Sequence, residues 1–250
     1  DQPRSRGLGD VYKRQEELQR IIAGRDKLYS VIAHDLRSPM GSIKMVLNML
    51  MLNLPVEKIG GEMYELLTMA NRTTEDVFSL LDNLLKWTKS QIGNLNVVYQ
   101  DVDAVEVVDS VIDVFNMVAG LKKITIREEK PEKLPVCTDI DMLKTIIRNL
   151  LSNAIKFSNE NSEVLVKMEE QGDTVVVSVK DSGCGIDEEG QKKLLHTDTH
   201  FSTFGTNNEE GSGLGLLLCQ DFAVKSGGKL WFTSKKGEGS TFYFSIPLKK

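Results

Sequence analysis

From Glu16 the chain settles into a helical hydrophobic period. Leu18, Ile22, Arg25, Tyr29, Ile32 and Leu36 recur at alternating steps of four and three, a heptad seam whose one polar member is Arg25. Ile43, Val46, Leu47 and Leu50 carry the period to about Leu52, and "NLPVEKIGG" then supplies proline and glycine punctuation. A second helix is predicted from about Glu62 to Gln91, with Leu66, Met69, Thr73, Val77, Leu80, Leu84 and Trp87 along its apolar side. Two such helices joined by a short loop make an antiparallel hairpin. A lone hairpin buries only one face, so a continuous apolar seam on both helices predicts a homodimeric four-helix bundle. Packing against a second domain is the alternative.

The texture changes after "IGNLNVVYQDVD", which reads as a linker. "DAVEVVDSVIDVFNMVAGLKK" predicts a helix ending near Gly120, and "ITIREE" a short alternating strand. "DIDMLKTIIRNLLSNAIKFS" predicts a strong helix capped by Asp139 or Asp141. "EVLVKMEEQGDTVVVSVKDSG" reads as two strands around a Gly-Asp turn, and "KLWFTSKKGEGSTFYFSIPL" as a hairpin turning at Gly237-Glu238-Gly239. The expected class is therefore α plus α/β. The helical hairpin, residues 16–95, and a linker, 96–103, precede a two-layer α/β sandwich with a mixed sheet, 104–250. Residues 1–15 lack periodicity, and their "DVYKRQ" resembles a translated DNA-library adapter; they are set aside as a non-native or disordered segment.

Composition narrows the function. A net charge of -5 argues against nucleic acid held by bulk electrostatics. The most apolar window, "MVLNMLMLNL", is too short to span a bilayer, so membrane contact is expected only through a region upstream of this chain. No secretory signal leads the chain. The three cysteines, Cys137, Cys184 and Cys219, form neither a zinc spacing nor a disulfide framework, which suits a reducing, cytoplasmic setting.

Four short blocks carry candidate chemistry. "SVIAHDLRSPM" sets His34 beside Asp35, with Ser38 four residues on and so on the same helical face as His34. Pro39 removes an N–H, which orphans the Asp35 carbonyl and predicts a bend just after His34. In "LKTIIRNLLSNAIKFS", Asn149, Asn153 and Lys156 form one polar stripe on an otherwise apolar helix. Asparagine is a poor helix-interior residue, so a solvated face competes with a functional reading: amide oxygens for Mg²⁺ and a lysine for phosphate. In "VVVSVKDSGCGI" a strand runs into Asp181, Gly183 and Gly185, which suits a base's exocyclic amine held beside closely approaching backbone. In "GSGLGLLLCQDF", Gly211, Gly213 and Gly215 open a helix and free N–H groups for phosphate oxygens. Between the last two blocks, "HTDTHFSTFGTNNEE" reads as a mobile lid with Phe201 and Phe204 as apolar latches. His196 and His200 stand four apart without a third metal ligand.

Taken in order, His-Asp-x-Arg-Ser-Pro, "NLLSNAIKF", "DSGCGI" and "GSGLGL" resemble the two-component sensor histidine kinases, over nearly the whole chain from Glu16. The resemblance implies a dimerisation and phosphotransfer hairpin and an ATP-binding domain of the gyrase/heat-shock-90/kinase type. It implies autophosphorylation of His34 from ATP with Mg²⁺, then transfer to an aspartate of a response-regulator receiver domain. By the same resemblance Asp35 is the general base and Ser38 positions water for dephosphorylating the regulator, though the family more often has Thr or Asn there. Arg37 helps to hold phosphate. Asn153 is the principal Mg²⁺ ligand with Asn149 beside it, Lys156 contacts phosphate, and Asp181 binds adenine. Gly183 and Gly185 shape the adenine side, and Gly211, Gly213 and Gly215 the phosphate side. An ATP-binding scaffold without turnover is the alternative function.

Overall fold

The computed structural model describes residue 24 and residues 31–54, 60–91, 97–194, 205–206 and 213–248. The chain divides into two compact units, 1–96 and 97–250.

In the first unit, helix α1 covers 31–53 and helix α2 covers Gly61–Gln91. The helix runs on through Pro39, whose missing N–H orphans one carbonyl without ending the turn. Three contacts set the register. Arg37 Nη2 meets Asp82 Oδ1 at 2.8 Å, Gly41 lies against the Phe78 ring, and Lys44 Nζ meets Glu75 Oε1 at 3.3 Å. The contacts step four then three residues forward on α1 and four then three backward on α2, which defines an antiparallel heptad pairing. Arg37 and Lys44 also sit 5.7 and 5.6 Å from the centre of the Phe78 ring, as cation–π partners. Ala33, Leu81 and Leu85 are buried between the helices, with Met40, Val77 and Leu84 packed on them.

The buried line is not the seam that the sequence suggested. On α2 it passes through Thr74, Leu81, Leu85 and Thr88, one residue later than Thr73, Leu80, Leu84 and Trp87. On α1 it passes through Ala33 and leaves Ile32, Leu36, Ile43 and Val46 between 43% and 56% exposed. Each helix thus carries two adjacent 4-3 stripes. The small residues Ala33 and Gly41 lie on the line facing α2, where they let the backbones approach; the bulkier aliphatics occupy the outer line.

The second unit holds a five-stranded sheet ordered β2-β4-β5-β7-β6: β2 is Thr125–Glu129, β4 Glu163–Gln171, β5 Thr174–Lys180, β6 Leu230–Lys235 and β7 Gly239–Pro247. Only the β2–β4 pairing is parallel; the other pairs run antiparallel, so the sheet is mixed as expected. Helices α3 (Ala104–Leu121), α4 (Ile140–Phe157) and α6 (Leu214–Lys225) pack on it, and α5 is the short Glu188–Lys193. Alternation along the strands turns Val175, Val177 and Val179 of β5 and Phe242, Phe244 and Ile246 of β7 into the core. Helix α4 packs on β5 there, with Ile146, Ile147, Leu150, Leu151, Ala154 and Ile155 buried.

Gln100–Asp103, inside the stretch read as a linker, form a strand, β1, paired antiparallel with β3, Pro135–Thr138. "QDVD" has no apolar alternation to announce it; its pairing rests on backbone groups. Asp103 then caps α3, its Oδ1 accepting from Val105 N at 3.0 Å and Leu134 N at 2.9 Å.

Phe244 is completely buried at the centre of the sheet. Phe244→Ala should therefore lower the unfolding free energy by about 3–5 kcal/mol in urea denaturation. A loss below about 1 kcal/mol would mean that this side chain is not a core element.

Candidate functional site

The site in the second unit is built on α4. Asp139, rather than Asp141, caps that helix: Oδ1 accepts from Asp141 N at 3.0 Å and Met142 N at 3.1 Å, while Oδ2 accepts from Val98 N at 2.9 Å. With its apolar side committed to the sheet, α4 presents Asn149, Asn153 and Lys156 along one half-buried stripe. The Asn149 amide donates back to Thr145 O at 2.9 Å, which turns its Oδ1 outward. A Cβ at Gly215 would lie 2.6 Å from that oxygen, so any larger residue there would push the Asn149 side chain from this position. Gly213, at φ 68°, is the N-cap of α6 and brings no capping side chain. The first-turn N–H groups of α6 are the kind of donors that bind anions.

Asp181 follows β5 and is 4% exposed. Its Oδ1 accepts from Gly183 N at 2.9 Å and Ser240 N at 3.2 Å, and its own N–H donates to Ser240 O at 2.9 Å. Oδ2 remains as an acceptor for a ligand N–H. Burial pushes the carboxyl above its ordinary 3.8, and the two backbone N–H groups oppose that rise. The loop is wedged between backbones. A Cβ at Gly183 would meet Phe157 O at 2.1 Å, and one at Gly239 would meet Asp181 O at 2.2 Å. Gly185, at φ 62°, lies against Lys235 O, and Gly237 N donates to Cys184 O at 2.7 Å.

Two of the predicted blocks, "DSGCGI" and the glycines of α6, therefore meet the third, "NLLSNAIKF", on α4: the first at Phe157, the second at Asn149. Sequence reasoning took Gly239 only as a turn residue and passed over Ser240. The one available signal was the Gly-x-Gly of "GEGS", which also opens many ordinary hairpins. Gly211, the lid residues Phe201 and Phe204, and His196 and His200 lie outside the described residues. Among the described residues no three His, Cys, Asp or Glu side chains gather as a metal site, so a cation here would draw on the asparagine oxygens.

In the first unit, His34 and Asp35 are open to solvent, their side chains 80% and 71% exposed. His34 Nδ1 lies 3.2 Å from Asp35 Oδ1. Neighbouring residues on a helix diverge, yet the short carboxylate spans the gap in this rotamer. With the proton on Nδ1, the hydrogen bond to Asp35 leaves Nε2 with its lone pair exposed. Ser38 and Arg37 are exposed on the same helix, and the Arg37 guanidinium is engaged with Asp82.

Comparison with known proteins places these features. Residues 138–250 match the family described as histidine kinase-, DNA gyrase B- and HSP90-like ATPase. The adaptive-response sensory kinase SasA of Crocosphaera subtropica is 29% identical over 241 residues, spanning 94% of this chain and 63% of the relative. The sensor protein KdpD of Clostridium acetobutylicum is 32% identical over 248 residues, 95% of this chain and 27% of that protein. The chain thus spans less than two-thirds of the length of these curated relatives. Among solved structures, the catalytic domain of the histidine kinase ThkA is 30% identical, covering 60% of this chain and 96% of that one, with a TM-score of 0.53. Full-length ShkA in complex with AMPPNP covers 90% of this chain and 46% of its own, at 21% identity and a TM-score of 0.69.

The raised Asp181 carboxyl sets a pH dependence. Below 3.8 the group is protonated in both states and its contribution to stability is complete. As pH climbs from 3.8 towards the raised native value, the unfolded chain has released a proton that the native chain retains, and stability falls until the native group ionises too. Asp181→Asn cannot ionise and escapes this loss. Denaturation curves across a pH series should show the variant gaining on the parent as pH rises through that interval. A constant or shrinking gap would contradict the buried-carboxyl reading.

Proposed function

Because this chain belongs to the sensor histidine kinases, we propose that it is a catalytic core which phosphorylates His34 from ATP and passes the phosphoryl group to a receiver-domain aspartate of a response regulator. The observation that carries this reading is the convergence on α4: Asn149 against Gly215, and Phe157 against the loop of the buried Asp181.

Asp181 Oδ2 accepts the exocyclic amine of adenine, and the backbones at Gly183 and Gly185 border the ring. Lys156 and the N–H groups opened by Gly211, Gly213 and Gly215 take phosphate oxygens. Asn153 and Asn149 would hold Mg²⁺ through neutral amide oxygens, which suits a hard cation that keeps few protein ligands and leans on substrate phosphates. When bound, Mg²⁺ neutralises charge on the phosphates.

In the transfer step the Nε2 lone pair of His34 attacks the γ-phosphorus. An N–P bond forms as the bond to the bridging oxygen breaks, and ADP leaves with that electron pair. The Nδ1 proton passes towards Asp35, so the ring does not keep the positive charge that the attack places on it. Ser38, four residues on, positions water when the regulator is dephosphorylated. No helix among the described residues is long and apolar enough to cross a membrane. We place this region in the cytoplasm, where ATP and the free thiols of Cys137, Cys184 and Cys219 are at home.

The exposed outer stripes supply the dimer. Ile32, Leu36, Ile43 and Val46 on α1, with Leu66 and Met69 on α2, form the surface on which a second copy completes a four-helix bundle.

Two measurements test these assignments. With γ-labelled ATP the chain should acquire acid-labile, base-stable label that His34→Gln abolishes. Label surviving in that variant would remove His34 as the acceptor. Ile43→Glu should convert the dimer to monomer by light scattering at micromolar concentration, since a charge on a buried apolar seam is costly. An unchanged mass would mean that the outer stripe is not the interface.

A further inference from the structure

The ammonium group of Lys122 lies where three separate segments meet. Lys122 follows α3, and its backbone N–H donates to Ala119 O at 3.0 Å, so the residue is set by that helix's last turn. The residue is only 7% exposed. Nζ donates to Ile155 O at 3.0 Å, Lys156 O at 2.8 Å and Thr206 Oγ1 at 2.6 Å. The first two are carbonyls of the last turn of α4, where a cation is favoured by the exposed carbonyl ends. Thr206 comes from another part of the chain, between the "DSGCGI" and "GSGLGL" blocks and seven residues before Gly213. Its hydroxyl donates to Ser158 O at 2.7 Å, and its N–H donates to Lys156 O at 3.2 Å.

A helix end can be capped by a cation touching two carbonyls. The third bond does something else: it holds a second chain segment against the residues that carry the site. Ile155 and Lys156 bracket the turn from which the Lys156 side chain leaves α4. Phe157, next along, supports Gly183 through its carbonyl. Thr206 is pinned between them. An ammonium fills this role because it is compact and offers three donors at once.

The geometry points to Lys122 as a positioning residue for nucleotide binding, acting through Thr206. This rests on the ATP-binding reading above. The pair Lys122–Thr206 fixes Thr206 against the end of α4, next to the backbone of Lys156. Neither residue touches the nucleotide; their loss misplaces groups that do.

Titration calorimetry with a non-hydrolysable ATP analogue and Mg²⁺ tests this on the whole chain. Thr206→Val removes the hydroxyl and keeps the shape. It should weaken affinity about tenfold, the lower end of the scale for one hydrogen bond to a charged group. Thr206→Ser should restore it. Lys122→Met should weaken affinity by more, and the double variant by less than the product of the single effects. In turnover, KM for ATP should rise in Thr206→Val while the maximal rate of His34 labelling stays level. If Thr206→Val and Lys122→Met lower the melting temperature but leave affinity within twofold, Lys122 is a structural cap and the inference is overturned. If Lys122→Met does not fold, the Thr206 variants decide alone. Asp181→Asn separates the two levels. Analogue binding that is lost in Asp181→Asn but untouched in Thr206→Val overturns only the inference. A parent chain that binds no analogue overturns the ATP-binding reading beneath it.

Discussion

Everything in the second unit depends on the burial of α4's apolar side against the sheet. Ile146, Ile147, Leu150, Leu151, Ala154 and Ile155 are almost fully buried on a helix that packs on β5 and the neighbouring helices. At about 1.5–3 kcal/mol for each large aliphatic taken out of water, this contact outweighs any single polar interaction at the site. It also leaves the helix one free direction. The polar stripe of Asn149, Asn153 and Lys156 can point only away from the sheet, so the core chooses the orientation of the chemistry.

The second constraint is contact between backbones. The Asp181 loop is held against the end of α4 on one side and the β6–β7 turn on the other, at separations that exclude a side chain. The N–H groups of Gly183 and Ser240 thereby reach the buried carboxylate. Desolvation raises the carboxyl, the two donors restrain it, and the result is an acceptor fixed in place. Rigidity of this kind suits recognition of a flat, hydrogen-bonding ligand, because little freedom remains to be lost on binding.

The hairpin follows a different rule. Among the described residues its internal contacts are thin: a few buried side chains, two buried threonines bonding back to their own helix, and ion pairs at the edge worth about 0.2–1 kcal/mol each. On α1 the larger apolar side chains Ile32, Leu36, Ile43 and Val46 lie on the outer line. Such a hairpin is poorly covered by itself, which is the energetic argument for a second copy. The His34–Asp35 contact is solvent-exposed and adds little to stability.

Much of this was legible along the chain. Period 3.6 marked α1, α2, α3 and α4, period 2 marked β4 and β5, and Asp139 was among the cap candidates. Asn149, Asn153, Asp181, Gly183 and Gly215 stood out because each is a residue type that helix or strand propensity alone does not favour. Other features depended on distant partners. Strand β1 has no pattern because its pairing with β3 uses backbone groups. Gly239 and Ser240 look like any hairpin turn until Asp181 is seen beside them, and Lys122 looks like a surface lysine until α4 ends at its ammonium. The choice between the two heptad stripes on each hairpin helix also fell to the tertiary structure. A 4-3 repeat says that a line is apolar, and only the close approach permitted by Ala33 and Gly41 decides which line faces the partner helix. The sequence by itself marked most of the elements and the candidate residues of the site, since both are properties of local spacing. The tertiary structure decided which groups meet, because meeting depends on how closely separate backbones can pack.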